Sequence, residues 1–185
     1  LSLHGATLAA DYAVTNTGAT ALPFMWALHG LLAVTPEDRI EMAGVGSVTA
    51  TYIADGGATL VSPQLDWPGP DNAIRVALDT GRGIEAQFAA KLYASEIPGA
   101  RATIGGSRGW IELAWDGNEV RHLGLWLNYG GWPEPGYSHH LALEPTTAPV
   151  DHLGEALAQG TAHILDPGVT SRWRVTMTLR APASH

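Results

Sequence analysis

The sequence predicts an all-β protein, an antiparallel β-sandwich or barrel in which short strands are separated by frequent turns. The 22 glycines and 12 prolines are spread along the chain, where they would interrupt helices repeatedly. Residues 172–180 alternate apolar and polar side chains with the period of two that a half-buried strand requires. Turn sequences separate the apolar runs at short intervals, which favours a sandwich over a βαβ sheet.

The individual elements follow from the same criteria. Asp116-Gly117-Asn118 tolerates positive φ, so the runs 109–115 and 119–128 on either side of it are predicted to form a β-hairpin. Residues 150–159 are predicted to form a short surface helix, with Asp151 near its start and Gly160 as its stop. The other predicted strands are 7–15, 48–54, 73–78, 83–93, 138–143 and 172–180.

The composition excludes several classes of function. Ten basic residues against 18 acidic ones give a net charge of -8, which opposes binding to nucleic acid or to an anionic membrane surface. The absence of cysteine excludes a thiolate nucleophile and cysteine-ligated metal sites. Residues 105–109 are rich in glycine but do not join a strand to a helix, so they predict a β-turn rather than a nucleotide site. We therefore expect no nucleic-acid partner and no membrane partner.

The pattern along the chain predicts one soluble domain. No apolar stretch reaches the roughly 18 to 20 residues of a membrane span. No basic segment with a following apolar run precedes the first predicted strand, so we expect a cytoplasmic protein. Residues 1–185 contain no linker and are expected to form a single domain. Exposed edge strands of an incomplete sheet would favour a homodimer.

Glu144 is the first candidate for chemistry. It follows an apolar run and precedes Pro145, at a strand end where a rigid scaffold commonly presents catalytic side chains, although a structural or solvated carboxylate fits the pattern equally well. Because side chains alternate along a strand, Glu144 and His140 are expected on one face. A separation of about 13 Å along the strand is too long for the two to share one metal or one proton. The structural interpretation of His139-His140, without a role in chemistry, is a half-buried pair on an ordinary strand.

His29, Trp67 and Trp132 are the other candidates. His29 lies in the most apolar surroundings of any histidine and precedes Gly30, which fits either a core histidine or a proton donor. Trp67 and Trp132 lie in the Pro- and Gly-rich stretches 62–70 and 130–136. Such residues line carbohydrate grooves, and a tryptophan beside proline equally often anchors a loop on the core.

Four motifs together resemble the aldose 1-epimerase (galactose mutarotase) family. They are AVTNTG at 13–18, LPFMWALH at 22–29, HLALEPTT at 140–147 and LDPG at 165–168. The resemblance spans residues 7–180 and implies a galactose mutarotase-like supersandwich of large twisted antiparallel sheets with an open groove for a hexopyranose. It also implies an N-terminal part that this sequence lacks, so that the chain would be the C-terminal portion of a longer one.

The resemblance further implies an isomerase that interconverts the α and β anomers of a free hexose without a cofactor. Glu144 would act as general base on the anomeric hydroxyl, and His29 would donate a proton to the ring oxygen. Opening of the ring, rotation about the C1–C2 bond and closure on the other face then give the other anomer. Asp71, with Asp66 as the fallback, would bind sugar hydroxyls.

Trp67, Trp132 and His140 complete the expected substrate-binding set. After His29 the chain reads Gly30-Leu31-Leu32, which departs from the signature of true galactose mutarotases and predicts a divergent relative. Two alternative functions stay open: a non-catalytic carbohydrate-binding module, and an accessory domain of a glycosidase, since the same fold can carry either.

Overall fold

The computed structural model describes residues 1–55, 58–59, 64–69 and 74–182 of the chain. Two 3-10 helices in these residues span Ile84–Ala86 and Pro98–Ala100, and the α-helix α1 spans Leu153–Gln159. Within the same residues, no helix has the length and hydropathy needed to cross a bilayer. The strands are β1 (Ser2–His4), β2 (Thr7–Thr15), β3 (Leu22–Phe24), β4 (Leu31–Leu32), β5 (Arg39–Glu41), β6 (Ser47–Asp55), β7 (Ala58–Thr59), β8 (Gln64–Asp66), β9 (Phe88–Ser95), β10 (Arg101–Gly106), β11 (Gly109–Trp115), β12 (His122–Tyr129), β13 (His139–Thr146), β14 (His163–Leu165) and β15 (Thr170–Arg180).

The strands form two large antiparallel sheets and one small one. The first, called the back sheet, has the order β1-β2-β15-β11-β10-β5. The second, called the site sheet, has the order β4-β13-β12-β9-β6-β7, with β8 also paired to β6. Strands β3 and β14 pair with each other. This arrangement is an antiparallel β-sandwich, so the predicted fold class is confirmed.

The hydrophobic core lies between the two large sheets. Leu113 and Val175 of the back sheet are buried in one cluster with Leu92, Leu125 and Leu143 of the site sheet. Because side chains alternate along each strand, the residues directly before and after Leu92, Leu125 and Leu143 point to the other face of the site sheet, away from the core. On β9, β12 and β13 that outer face carries polar and aromatic side chains.

Several predicted elements lie where the periodicity placed them. The strand predicted at 7–15 has the bounds of β2, and the alternating run 172–180 falls within β15. The predicted helix is present as Leu153–Gln159, and Gly160 ends it in the left-handed conformation with φ of 71°. Glycine adopts that conformation without the steric cost of a Cβ atom.

Two predicted strands differ from the structure. Residues 74–78 of the run predicted at 73–78 do not form a strand. In the run 83–93, the strand begins only at Phe88, since Ile84–Ala86 form a 3-10 helix. Gln87 caps that helix with φ of 49°, a left-handed conformation that interrupts an extended chain, so the strand begins five residues later than predicted.

The predicted hairpin between 109–115 and 119–128 is wrong. The turn exists, because the Asn118 amide donates to Asp116 Oδ1 at 3.0 Å, but it carries the chain from one sheet to the other. Strand β11 pairs with β10 and β15 in the back sheet, whereas β12 pairs with β9 and β13 in the site sheet. The core lies between them, so both strands bury their apolar faces without pairing. The actual hairpin joins β10 to β11, which confirms the β-turn predicted at 105–109.

Candidate functional site

The outer face of the site sheet brings together a group of charged, polar and aromatic side chains. It is built from β9, β12 and β13, whose registers align outward residues in rows across the strands. His140 and Glu144 share this face, as their spacing predicts. Three successive rows are Tyr93–Gly124–Glu144, Lys91–Trp126–Ala142 and Ala89–Asn128–His140.

Glu144 is a buried carboxylate with 3 % of its surface exposed. Its side chain lies over Gly124 of the neighbouring strand, where a Cβ atom would come within 3.0 Å of Glu144 Oε2. The glycine therefore creates the space that the carboxylate occupies. A buried charge is costly unless it is paired and hydrogen-bonded, and both oxygens of Glu144 have partners.

His29 provides the partner of Oε1, with its Nδ1 atom 3.1 Å away. The register that pairs Ala27 with Thr146 and Leu31 with Ala142 places His29 directly opposite Glu144. In contrast to the carboxylate, the imidazole is 65 % exposed. His29 is therefore not the core histidine that its apolar neighbours would suggest, and the pair lies at the boundary between the sheet and solvent.

Lys91 provides the partner of Oε2 and was missed by the sequence reasoning. Its ammonium group donates to Glu144 Oε2, and the residue is 8 % exposed. It is the only lysine among the 185 residues, and it interrupts the apolar run 88–94. Lysine is almost never fully buried without a partner, so a single lysine inside a buried strand was the available signal.

Asp151 forms a second layer beside the ion pair. Tyr93 donates its hydroxyl hydrogen to Asp151 Oδ1 at 2.6 Å, and Thr51 donates to Oδ2 at 3.0 Å. The Lys91 ammonium lies 4.0 Å from Oδ1. Burial and the bond to Asp151 raise the pKa of Tyr93, so the phenol stays protonated and acts as a donor. The sequence predicts Asp151 near the start of the helix, and no local pattern indicates its contact with Tyr93.

An aromatic group borders the charged cluster. The rings of Tyr52 and Trp126 are 6.2 Å apart, and Trp132 meets Trp126 edge to face at 5.7 Å. Asn128 holds the Trp132 loop, since its amide group donates to the Trp132 carbonyl at 3.0 Å and its Oδ1 accepts from the Trp132 amide at 3.2 Å. Trp132 is 47 % exposed, so one side of the indole faces solvent.

His140 lies against the same aromatic group. Trp126 Nε1 donates a hydrogen bond to His140 Nε2 at 3.1 Å, which requires an unprotonated nitrogen at that position. Burial lowers the pKa of His140, and the neighbouring His139 lowers it further. Both effects favour the neutral imidazole that the bond from Trp126 requires.

Two of the remaining predicted substrate-binding residues, Trp67 and Asp66, are described by the structure. Trp67 is 8 % exposed and packs in the core between the sheets, which is the loop-anchor alternative left open by its sequence. Asp66 lies exposed on β8, paired with Ser47. Asp71, predicted to bind sugar hydroxyls, lies outside the described residues.

The cluster combines the groups needed for proton transfer. It has a buried carboxylate, an exposed imidazole at 3.1 Å and an aromatic surface that begins in the adjacent row at Trp126. Carboxylates and imidazoles are the usual general acids and bases of enzymes. In the parts of the chain that the structure covers, no group of three or more His, Asp or Glu side chains is arranged to hold a metal ion.

Comparisons with known proteins identify the fold. No family model matches the chain, and no curated protein matches it. Solved structures do match. A candidate aldose 1-epimerase from Klebsiella pneumoniae superposes with a TM-score of 0.71 at 12% identity, covering 96% of this chain and 44% of that one. Another from Escherichia coli K12 gives a TM-score of 0.64 at 18% identity, covering 97% and 58%.

A galactose mutarotase related enzyme from Lactobacillus acidophilus also matches, with a TM-score of 0.60 at 12% identity and coverage of 99% and 60%. The chain thus spans about half the length of the structures it matches. At these identities the likeness establishes the architecture, which is a galactose mutarotase-like β-sandwich. The activity must be argued from the residues on the site sheet.

Proposed function

We propose that this protein is an aldose 1-epimerase-like enzyme that interconverts the α and β anomers of a free hexose. The observation that carries the proposal is Glu144, a buried carboxylate whose Oε1 faces the exposed imidazole of His29. The resemblance of the motifs at 22–29 and 140–147 assigns the base and the acid to these same two residues. The mutarotase-like architecture of the matching structures supports the proposal.

Substrate must separate the two groups before they can act. The distance of 3.1 Å between His29 Nδ1 and Glu144 Oε1 leaves no room for a pyranose ring between them. His29 is the exposed partner, so its side chain can rotate away from Oε1 and face the ring oxygen of a bound sugar while Glu144 stays in place. The anomeric hydroxyl then takes the position that Nδ1 vacates at Oε1.

The reaction needs only proton transfers. Glu144 Oε1 accepts the proton of the anomeric hydroxyl, while protonated His29 donates a proton to the ring oxygen from the opposite side. The C1–O5 bond breaks and C1 becomes an aldehyde carbonyl. After rotation about the C1–C2 bond, O5 attacks the other face of the carbonyl and both protons return, so the enzyme is regenerated.

The aromatic group gives the sugar a surface to lie on. The exposed side of Trp132 and the neighbouring Trp126 present apolar ring faces, which suit the C–H face of a pyranose. His140 has its Nε2 occupied by Trp126, which holds the ring in place and leaves its other nitrogen as a binding group. We assign Trp132 and His140 to substrate binding on this basis.

Exchange NMR between the anomers of glucose and of galactose at neutral pH tests the proposal. The protein should accelerate exchange, and Glu144→Gln should abolish the acceleration while leaving sugar binding nearly intact. Glu85→Gln makes the same chemical change at an exposed position on the 3-10 helix Ile84–Ala86 and serves as the matched control. Undiminished exchange in Glu144→Gln would refute the assignment of the base.

A non-catalytic sugar-binding protein is the second candidate function. The half-exposed Trp132 beside Trp126 favours it, because an aromatic surface is sufficient for binding without proton transfer. This alternative predicts that hexoses quench tryptophan fluorescence while the wild-type protein leaves the rate of anomer exchange unchanged.

A further inference from the structure

We propose that Lys91 is a positioning residue that holds Glu144 Oε2, so that Oε1 alone receives the proton of the substrate. The inference rests on the proposed function, because it specifies how the carboxylate of that same site is prepared. Neither the resemblance of the motifs nor the names of the matching structures assign a role to this lysine.

Burying the ammonium group of Lys91 costs free energy, so its location requires a specific partner. The residue lies in the middle of β9, where Leu92 and Ala90 on either side of it are fully buried in the core. Taking an ammonium group out of water is unfavourable unless a partner compensates the charge. The chain places its only lysine here, and the ammonium donates directly to Glu144.

The registers explain how the two side chains meet. Lys91 is opposite Trp126, and Glu144 is opposite Gly124, two residues earlier on the same strand β12. Because Gly124 has no side chain, the carboxylate and the ammonium reach each other across β12. A Cβ atom at 124 would crowd the carboxylate, since it would lie 3.0 Å from Glu144 Oε2.

Further contacts fix the ammonium itself. It lies 4.0 Å from Asp151 Oδ1 and 5.2 Å from the centre of the Tyr93 ring. Asp151 is in turn held by the hydroxyl groups of Tyr93 and Thr51. The ammonium is thus constrained from several sides, in contrast to the exposed imidazole of His29.

The consequence is an asymmetric carboxylate. Oε2 is bound to a buried, constrained partner, and Oε1 is bound to an exposed, movable one. A hexose that displaces His29 therefore meets one defined oxygen in one orientation. Displacement of a reacting group by about 1 Å can cost about 100-fold in rate, so fixing Glu144 contributes to kcat rather than to sugar binding.

The first test compares Lys91→Met with the wild-type protein. We expect kcat for anomer exchange to fall by about 100-fold with KM unchanged, since methionine keeps the unbranched apolar part of the side chain and lacks the ammonium. Circular dichroism and thermal unfolding establish that the variant is folded. A folded Lys91→Met with wild-type kcat, or with a change confined to KM, overturns the inference.

Chemical rescue separates positioning from a structural role. In Lys91→Ala, added propylammonium supplies the missing carbons and the ammonium, so exchange should recover with a saturating dependence on its concentration. Tetramethylammonium has no N–H donor and should not restore exchange. Propylammonium should also leave Glu144→Gln inactive. Failure of propylammonium to restore folded Lys91→Ala, or equal rescue by tetramethylammonium, contradicts the role proposed for Lys91.

A labelling experiment does not depend on turnover or on the folding of a lysine variant. Because Lys91 is the only lysine, acylation with an amine-reactive ester can be followed in a single peptide by mass spectrometry. Lys91 should react slowly in the wild-type protein and faster in Glu144→Gln. Equal rates overturn the Lys91 inference. Absence of anomer exchange in the wild-type protein overturns the proposed function instead, so the two failures are distinguishable.

Discussion

Gly124→Ala should destabilise the protein although alanine normally suits a β-strand better than glycine. Gly124 lies within β12, and its backbone does not adopt positive φ, so the substitution introduces no backbone strain. The added Cβ atom would lie 3.0 Å from Glu144 Oε2, and 3.3 Å from both Glu144 Cβ and Tyr93 Cε1. Glu144 cannot yield easily, because both its oxygens are bound and the residue is buried.

The expected magnitude follows from two opposing effects. Overpacking a close-packed site costs about 1 to 3 kcal/mol. Replacing glycine by alanine inside a strand returns roughly 0.5 to 1 kcal/mol of conformational entropy. The net loss is therefore about 1 kcal/mol, which corresponds to a Tm lower by about 2 to 4 °C for a domain of this size.

Gly154→Ala provides the matched control for this measurement. Gly154 lies exposed in α1, and a Cβ atom there would meet nothing within 4 Å. The control should stabilise the protein by up to about 1 kcal/mol, as expected for glycine replaced in a helix. Urea unfolding and calorimetry measure both variants. A Gly124→Ala protein as stable as the wild type would show that Glu144 can move freely, which contradicts the packing argument.

Two further predictions concern sugar binding and pH. Trp132→Ala should weaken hexose binding roughly eightfold, because losing about 50 Å² of apolar contact costs about 1.2 kcal/mol; a fluorescence titration measures this, and unchanged affinity would exclude Trp132 from the sugar site. Stability should fall as the pH drops below 6.5, since burial lowers the pKa of His122 from that value and its buried Nδ1 has no hydrogen-bond partner among the described residues. The unfolded chain then binds the proton more readily than the native protein. His122→Gln should reduce the dependence of the free energy of unfolding on pH, measured by urea titrations between about pH 5 and 6.5. An unaltered slope would assign the loss of stability to other groups.

Local patterns determined those features of this protein that depend on neighbours in the sequence. The alternation in β15 and β2 identifies strands because an apolar face must be buried, whichever strand lies beside it. The same alternation places His140 and Glu144 on one face. Gly160 ends the helix for a reason confined to its own backbone.

The lysine at position 91 shows where local reasoning stops. Its burial is visible in the sequence as a charge within an apolar run, but its partner lies 53 residues later in the chain, two strands away across Gly124. A burial pattern indicates that a buried charge needs a partner, but it does not identify the residue that provides one.

Tertiary structure decided the pairing of elements. The runs 109–115 and 119–128 each read as strands beside a turn, yet the core lies between them and they belong to different sheets. The contact of His29 with Glu144 depends on the register between the edge segment 27–32 and β13. Periodicity fixes which face of a strand is buried, whereas register and partner are set by the free energy of packing the whole sandwich, which no short segment encodes.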